Sequence, residues 1–278
     1  MKYYTKEWFC LMQNTGSYKY FRRIPDGTYT TKDIEQMYQK ELKKELAENP
    51  DDPELTALFF EQGYRGAIKY VKTNYPEWLS EEVDKRLIAL RFLPATAYNK
   101  YRQFVKDCTR EWNRINRAGE SAMKRQNIAT DIWAMFSLHD SCLLSLQKKG
   151  KNLVLDFKRD GLWPEGEGYR RLTLIGAEIL EKDPHITTRK TYDEQGPQTS
   201  TQFLYHELYR TKHGYEVHLM FATRTDLAYL TVRCDDIVSR DYGEFNGYKC
   251  PSMDEEISFE VDIEAVKEQI KEDIKKWR

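Results

Sequence analysis

The chain has 278 residues, with 44 Lys and Arg against 45 Asp and Glu, and 40% of it is hydrophobic. At that length one core stops growing, so two packed parts are expected. Charged residues at 32% exclude a membrane-embedded protein, and aromatic residues at 13% supply enough burial to exclude a disordered one.

The near-neutral total hides an asymmetry. Residues 1–130 hold 23 basic and 18 acidic side chains, and the remainder 21 against 27, so the front is near +5 and the back near −6. Such a split suits docking of the halves or service to two partners. Cys10, Cys108, Cys142, Cys234 and Cys250 are scattered, with no Cys-x-x-Cys pair. They read as reduced thiols, and with no apolar run longer than Trp8–Met12 the expected address is cytoplasmic, without membrane association.

In chain order, Thr5 is a fair N-cap for a short helix carrying Trp8, Leu11 and Met12 on one side. Ile34, Met37, Tyr38, Leu42 and Leu46 predict a helix over 31–48, ended by Asn49-Pro50. Pro53 after Asp51-Asp52 opens the next, to about Thr73. Ser80 is expected to cap a helix stopped by Pro94, Thr96 one running to about Arg117, and 120–136 again reads as helical.

After Leu138 the period changes. Residues 142–148 and 153–157 flank the turn 149–152 and read as a hairpin. Further strands are expected near 171–180, 203–210, 215–221 and 227–234, at a hairpin around Asn246-Gly247, and near 257–261. A final helix over 262–277 carries Ile263, Val266, Ile270, Ile274 and Trp277 on one face and is expected to lie on the sheet. The link 181–201 reads as a long mobile loop. The fold class is α+β: a helical domain over 1–137, then a mostly antiparallel β-sheet domain over 138–278 with a C-terminal helix.

Three constellations carry potential chemistry. His139-Asp140-Ser141 names the residue types of a hydrolytic triad, but neighbours in an extended chain point to opposite faces and cannot converge. A helix-to-strand junction, with His139 bonding locally, is the preferred reading. In the hairpin around 211–214, pairing Arg210 with Tyr215 sets Glu207 opposite His218, with Tyr205, Tyr209, Glu216 and Met220 on the same face and His206 on the other. A carboxylate beside an imidazole can tune a general base or hold a metal, yet a cross-strand ion pair on a wet face is the simpler expectation. Finally, Arg102, Lys106, Arg110 and Arg114 step by four along a helix over 98–117 whose other side is apolar, a stripe able to track phosphates or to remain a solvated face. The glycines at 161, 166 and 168 lack the Lys-Ser/Thr of a phosphate loop, and Asp235-Asp236 reads as a solvated strand end.

The opening MKYYTKEW and the stretch EEVDKRLIALRFLPATAYNKY resemble a family of cytoplasmic proteins of Gram-positive bacteria that has no assigned activity. In that family a similar Met-Lys-Tyr-aromatic-Thr-Lys-Glu-Trp opening precedes an Arg-rich helix, here at Val83-Asp84-Lys85-Arg86-Leu87, and the likeness spans the helical half. The His139-Asp140-Ser141 junction with its hairpin is similar to small sheet domains of bacterial accessory and immunity-type proteins. The resemblance implies a bacterial cytoplasmic protein and carries over no functional residue.

The sequence therefore leaves enzymatic activity open. It favours a non-enzymatic protein-binding or accessory protein with no cofactor or bound metal and another protein as partner. The first alternative is a metal-assisted hydrolase or nuclease-like enzyme using His139, Asp140, Glu207 and His218. The second is nucleic-acid binding through the basic helix.

Overall fold

A computed structural model describes residues 1–159, 168–193, 196–246, 248–249 and 262–277. In chain order its helices are α1 (Lys6–Asn14), α2 (Thr31–Glu48), α3 (Pro53–Asn74), α4 (Glu77–Glu82), α5 (Lys85–Ala89), α6 (Ala95–Lys124), α7 (Thr130–Ala134) and α8 (Ile263–Lys276). The short strands β1 (Arg22–Ile24) and β2 (Phe92–Pro94) lie among them. From Cys142 the chain is mainly strand: β3 (Cys142–Lys149), β4 (Asn152–Lys158), β5 (Tyr169–Ile175), β6 (Glu178–Lys182), β7 (Thr191–Asp193), β8 (Gly196–Gln198), β9 (Gln202–Thr211), β10 (Gly214–Ala222), β11 (Leu227–Cys234), β12 (Asp236–Tyr242), β13 (Glu244–Phe245) and β14 (Tyr248–Lys249). Helices first and a mostly antiparallel sheet after them make the fold α+β, as the sequence predicts.

Packing divides the chain into two units that do not follow the change from helix to strand. One joins Met1–Leu11 to the chain from Glu111 through the sheet; the other joins Met12–Arg110 to α8. A boundary at 137/138 marks the change in secondary structure, whereas the packing units interleave along the chain.

In the helical unit, local capping sets the starts. Thr30 and Asp33 form a reciprocal capping box at α2, and Asp52 accepts the N–H of Leu55 ahead of Pro53 at α3. The expected single helix from Ser80 is instead two short ones. Ser80 lies inside α4, Val83 is extended, and Asp84 caps α5 by accepting the N–H of Arg86. Thr96 likewise lies inside the first turn of α6, its N–H and hydroxyl bound to Asp26 at 2.9 Å each. The core gathers Ile34, Val71, Leu79, Leu87, Ile88, Leu93, Tyr101 and Val105.

The final helix overturns an expectation: α8 packs on α3, not on the sheet. Its Trp277 ring lies against Gly66, and the buried Lys267 ammonium meets Asp52 at 3.0 Å, Glu264 at 3.1 Å and Glu54 at 3.5 Å. An amphipathic stripe specifies that a helix buries one face, not against which element.

In the sheet unit, α6 runs on to Lys124 and the helical stretch predicted over 120–136 breaks into the end of α6 and the short α7. Eight strands pair in the order β12-β5-β4-β3-β9-β10-β11-β6. The strand expected near 171–180 is interrupted at 176–177, giving β5 and β6, while β12, continuing past Asp235, was not expected. β5 pairs β12 and β6 pairs β11, so these four strands form one bent antiparallel ribbon whose halves join β4 on one side and β10 on the other. With β9 bridged to β3 at Cys142 and Gln202, the ladders close on themselves. Closure gives the sheet an inside, filled by Leu153, Leu155, Phe157, Leu172, Leu174, Leu208, Val217, Leu219 and Val232.

The link 181–201 contains the ribbon β7–β8. The β13–β14 pair falls where a hairpin is predicted, although Gly247 lies outside the described residues, as do the strand expected at 257–261, Cys250 and most of the glycine-rich stretch 161–168.

Candidate functional site

The β9–β10 register is the predicted one: Arg210 opposite Tyr215, Glu207 opposite His218, Tyr205 opposite Met220. Opposition does not make an ion pair here. Glu207 is 0% exposed, and its carboxylate accepts the backbone N–H groups of Lys2 (2.7 Å), Tyr3 (2.8 Å) and Tyr4 (2.7 Å) and the Tyr209 hydroxyl (2.8 Å). His218, 8% exposed, turns Nε2 to Glu216 Oε1 at 2.9 Å and Nδ1 to the Thr231 hydroxyl at 3.3 Å, with the Tyr209 ring edge-on at 5.4 Å. The expected wet-face ion pair is therefore corrected on both counts: the two groups are buried, and each is bound elsewhere.

Burial alone would raise the Glu207 carboxyl. The N–H groups of Lys2, Tyr4 and Tyr3 with the Tyr209 hydroxyl outweigh it and hold the group below its ordinary value. Burial is also the main cause lowering His218. His206, on the inner face, is pushed down to about 4 by burial among Phe136 (4.8 Å, stacked), Trp133 (5.3 Å) and Phe203 (6.1 Å).

His139 and Asp140 form the junction that sequence reasoning preferred. Asp140 has a left-handed φ of 64° and donates its N–H to Phe203 O at 2.8 Å, and Ser141 donates to Leu138 O at 2.9 Å. The His139 ring bonds Asp140 at 2.9 Å and rests edge-on against Tyr205 at 4.9 Å, both residues partly exposed. His139 thus meets the strand that carries Glu207, but its partners are Asp140 and Tyr205. Among the described residues no three His, Cys, Asp or Glu side chains are grouped to hold a metal ion. Burial pushes the Cys234 thiol up to about 12, away from nucleophilic use.

Arg102, Lys106, Arg110 and Arg114 are all exposed along α6. Two have acidic partners on their own helix: Arg110 meets Asp107 at 3.1 Å, and Arg114 grips Glu111 through two bonds of 2.6 and 2.8 Å. Local pairing reduces the charge available to phosphate.

What sequence reasoning missed is the segment seated on this face. Besides the three amides on Glu207, Tyr4 and Trp8 pack together at 4.7 Å, Trp8 meets the Tyr205 ring edge-on at 4.8 Å and Trp112 at 6.4 Å, and Lys6 pairs with Asp226 at 2.5 Å. Lys2 lies over the Tyr209 ring at 4.5 Å. The available signal was the run of four aromatics in MKYYTKEWF together with a Glu between apolar strand positions. Together these residues hold the chain's own residues 2–8, their backbone on one carboxylate and their rings in an aromatic cluster.

No family model, no curated protein and no solved structure matches this chain.

Proposed function

We propose that this chain is a non-enzymatic protein-binding or accessory protein of the bacterial cytoplasm. The observation that carries the reading is Glu207. The carboxylate an enzyme would turn toward a substrate is bound by three consecutive backbone N–H groups and a tyrosine hydroxyl. Backbone amides on a buried acceptor beside clustered Tyr and Trp are the means by which proteins hold peptides, and such aromatics dominate binding energy at interfaces.

The test pairs two measurements. A thermal-shift screen with divalent metals and nucleotides is run on the native protein and on a His139→Ala/His218→Ala variant, while tagged native protein captures partners from a Gram-positive bacterial lysate. The proposal expects no native-specific rise in melting temperature and one saturable, stoichiometric protein partner. A native-only rise with one metal or nucleotide would instead reveal a ligand site at the two histidines, because a ligand that binds only the folded state stabilises it. A complex in a low-salt gel shift, lost on neutralising the arginines of α6, would move the reading to nucleic acid.

A further inference from the structure

We propose that the outer face of β9 and β10, with the second half of α6, is a peptide-docking groove filled in cis by residues 1–9, and that a partner protein's segment of like chemistry displaces them. This rests on the protein-binding reading and names its site and its ligand class.

The cis segment displays what the groove accepts. An extended stretch presents three consecutive N–H groups to Glu207, then passes into helix α1 with aromatic residues at positions 4 and 8. Tyr3 enters where α6 carries Gly119: a Cβ added there would sit 3.1 Å from Tyr3 Cβ, tighter than ordinary contact, so a larger residue would narrow the groove. Recognition through backbone amides is tolerant of side-chain identity, whereas the aromatic positions and the basic residue facing Asp226 select the sequence.

The fit is incomplete, and the gap favours exchange. The indole N–H groups of Trp8 and Trp112 are both buried, and neither meets an acceptor among the described residues. A buried donor without an acceptor forfeits the hydrogen bond it makes to water in the open. An incoming segment that places a carbonyl or carboxylate beside Trp112 gains what the cis segment leaves unmet. The occupant is therefore a segment of another protein with aromatics four apart, a basic residue between them and an acceptor near the second.

The experiment uses the full chain and, as probe, a fluorescein-labelled peptide of residues 1–9, MKYYTKEWF. Fluorescence polarisation is read for the native protein, for Lys6→Glu/Tyr4→Ala, which loosens the cis segment, and for the same variant with Glu207→Gln. The expected result is weak binding by the native chain, binding tighter by about threefold or more in the loosened variant, and loss with Glu207→Gln. Hydrogen exchange on the native chain provides a readout that needs no variant: the amides of Lys2, Tyr3 and Tyr4 should exchange by local opening, faster than the β9–β10 ladder. Exchange at the ladder's rate, or no peptide binding by the loosened, folded variant, overturns the proposal. Concentration-dependent dimers in light scattering that vanish with Glu207→Gln would make the occupant a second copy of this chain and overturn the assignment to another protein. If a stoichiometric partner is captured while the peptide fails to bind, the groove is wrong and the protein-binding reading stands.

Discussion

Glu207 accepts the backbone N–H of Tyr4 at 2.7 Å across 203 residues of chain, with the N–H groups of Lys2 and Tyr3 on the same carboxylate. One side chain thereby ties the first residues to the middle of a sheet. A carboxylate with four donors and no exposure is stabilising only while it remains charged and fully bonded.

Glu207→Gln keeps the shape, removes the charge and turns an amide NH2 toward backbone donors. The expected cost is about 2–4 kcal/mol, read as a lower urea midpoint. The pH dependence provides a second check. The folded carboxyl lies below its ordinary value of 4.5, so its contribution is complete above that pH and is lost as pH falls through the folded value. A native-minus-variant stability difference that stays constant below pH 4.5 would contradict this account.

His206 makes an opposite use of burial. It stays neutral in the fold, with a value near 4 against 6.5 when unfolded. Between those pH values the unfolded chain takes up a proton that the folded one refuses, so stability is complete above 6.5 and falls toward pH 4. The loss is on the order of 3 kcal/mol. His218 is lowered in the same direction and adds to the slope. His206→Phe, which keeps an aromatic ring beside Phe136, should flatten the urea-midpoint profile over that window; an unchanged profile would assign the acid sensitivity elsewhere.

Gly214 opens β10 with φ +147°, and an added Cβ would stand 2.1 Å from the Cys234 carbonyl oxygen. Gly214→Ala must shift backbone in the ladder that links β10 to β11, at an expected cost of about 3 kcal/mol or more. Gly243→Ala meets open space and serves as the control. Equal melting temperatures for the two variants would show that the turn relaxes freely.

Lys267 joins α8 to the start of α3 through Asp52 and Glu54. Lys267→Ala leaves those carboxylates without their buried cation, whereas Lys275→Ala removes only an exposed pair with Glu272. Limited proteolysis should release α8 faster from the first variant than from the second. Equal rates would mean that the apolar stripe of α8 alone holds it.

The starts of α2 and α3 were legible because Thr30, Asp52 and Pro53 act on the backbone within one turn. Ser80 misled because capping chemistry is common in sequences, and a helix uses it only where the capping residue itself leaves helical geometry, as Asp84 does with ψ 126° and Ser80, inside α4, does not. The β9–β10 register was readable from alternation and turn length, which is why Glu207 and His218 were correctly placed opposite each other.

By itself the sequence determined the α+β class, the change from helix to strand near residue 140, the bounds of α2, α3, β9, β10 and β11 to within a few residues, and which residues of β9 and β10 share a face. These follow from periodicity, caps and turns, all interactions over a few residues. Only the tertiary structure decided that α8 rests on α3, that β5–β6 and β11–β12 close the ladders, and that Glu207 holds residues 2–4 and not His218. Those outcomes depend on backbone N–H groups and apolar faces that every segment offers alike, so the choice among partners is made by packing between segments far apart in the chain.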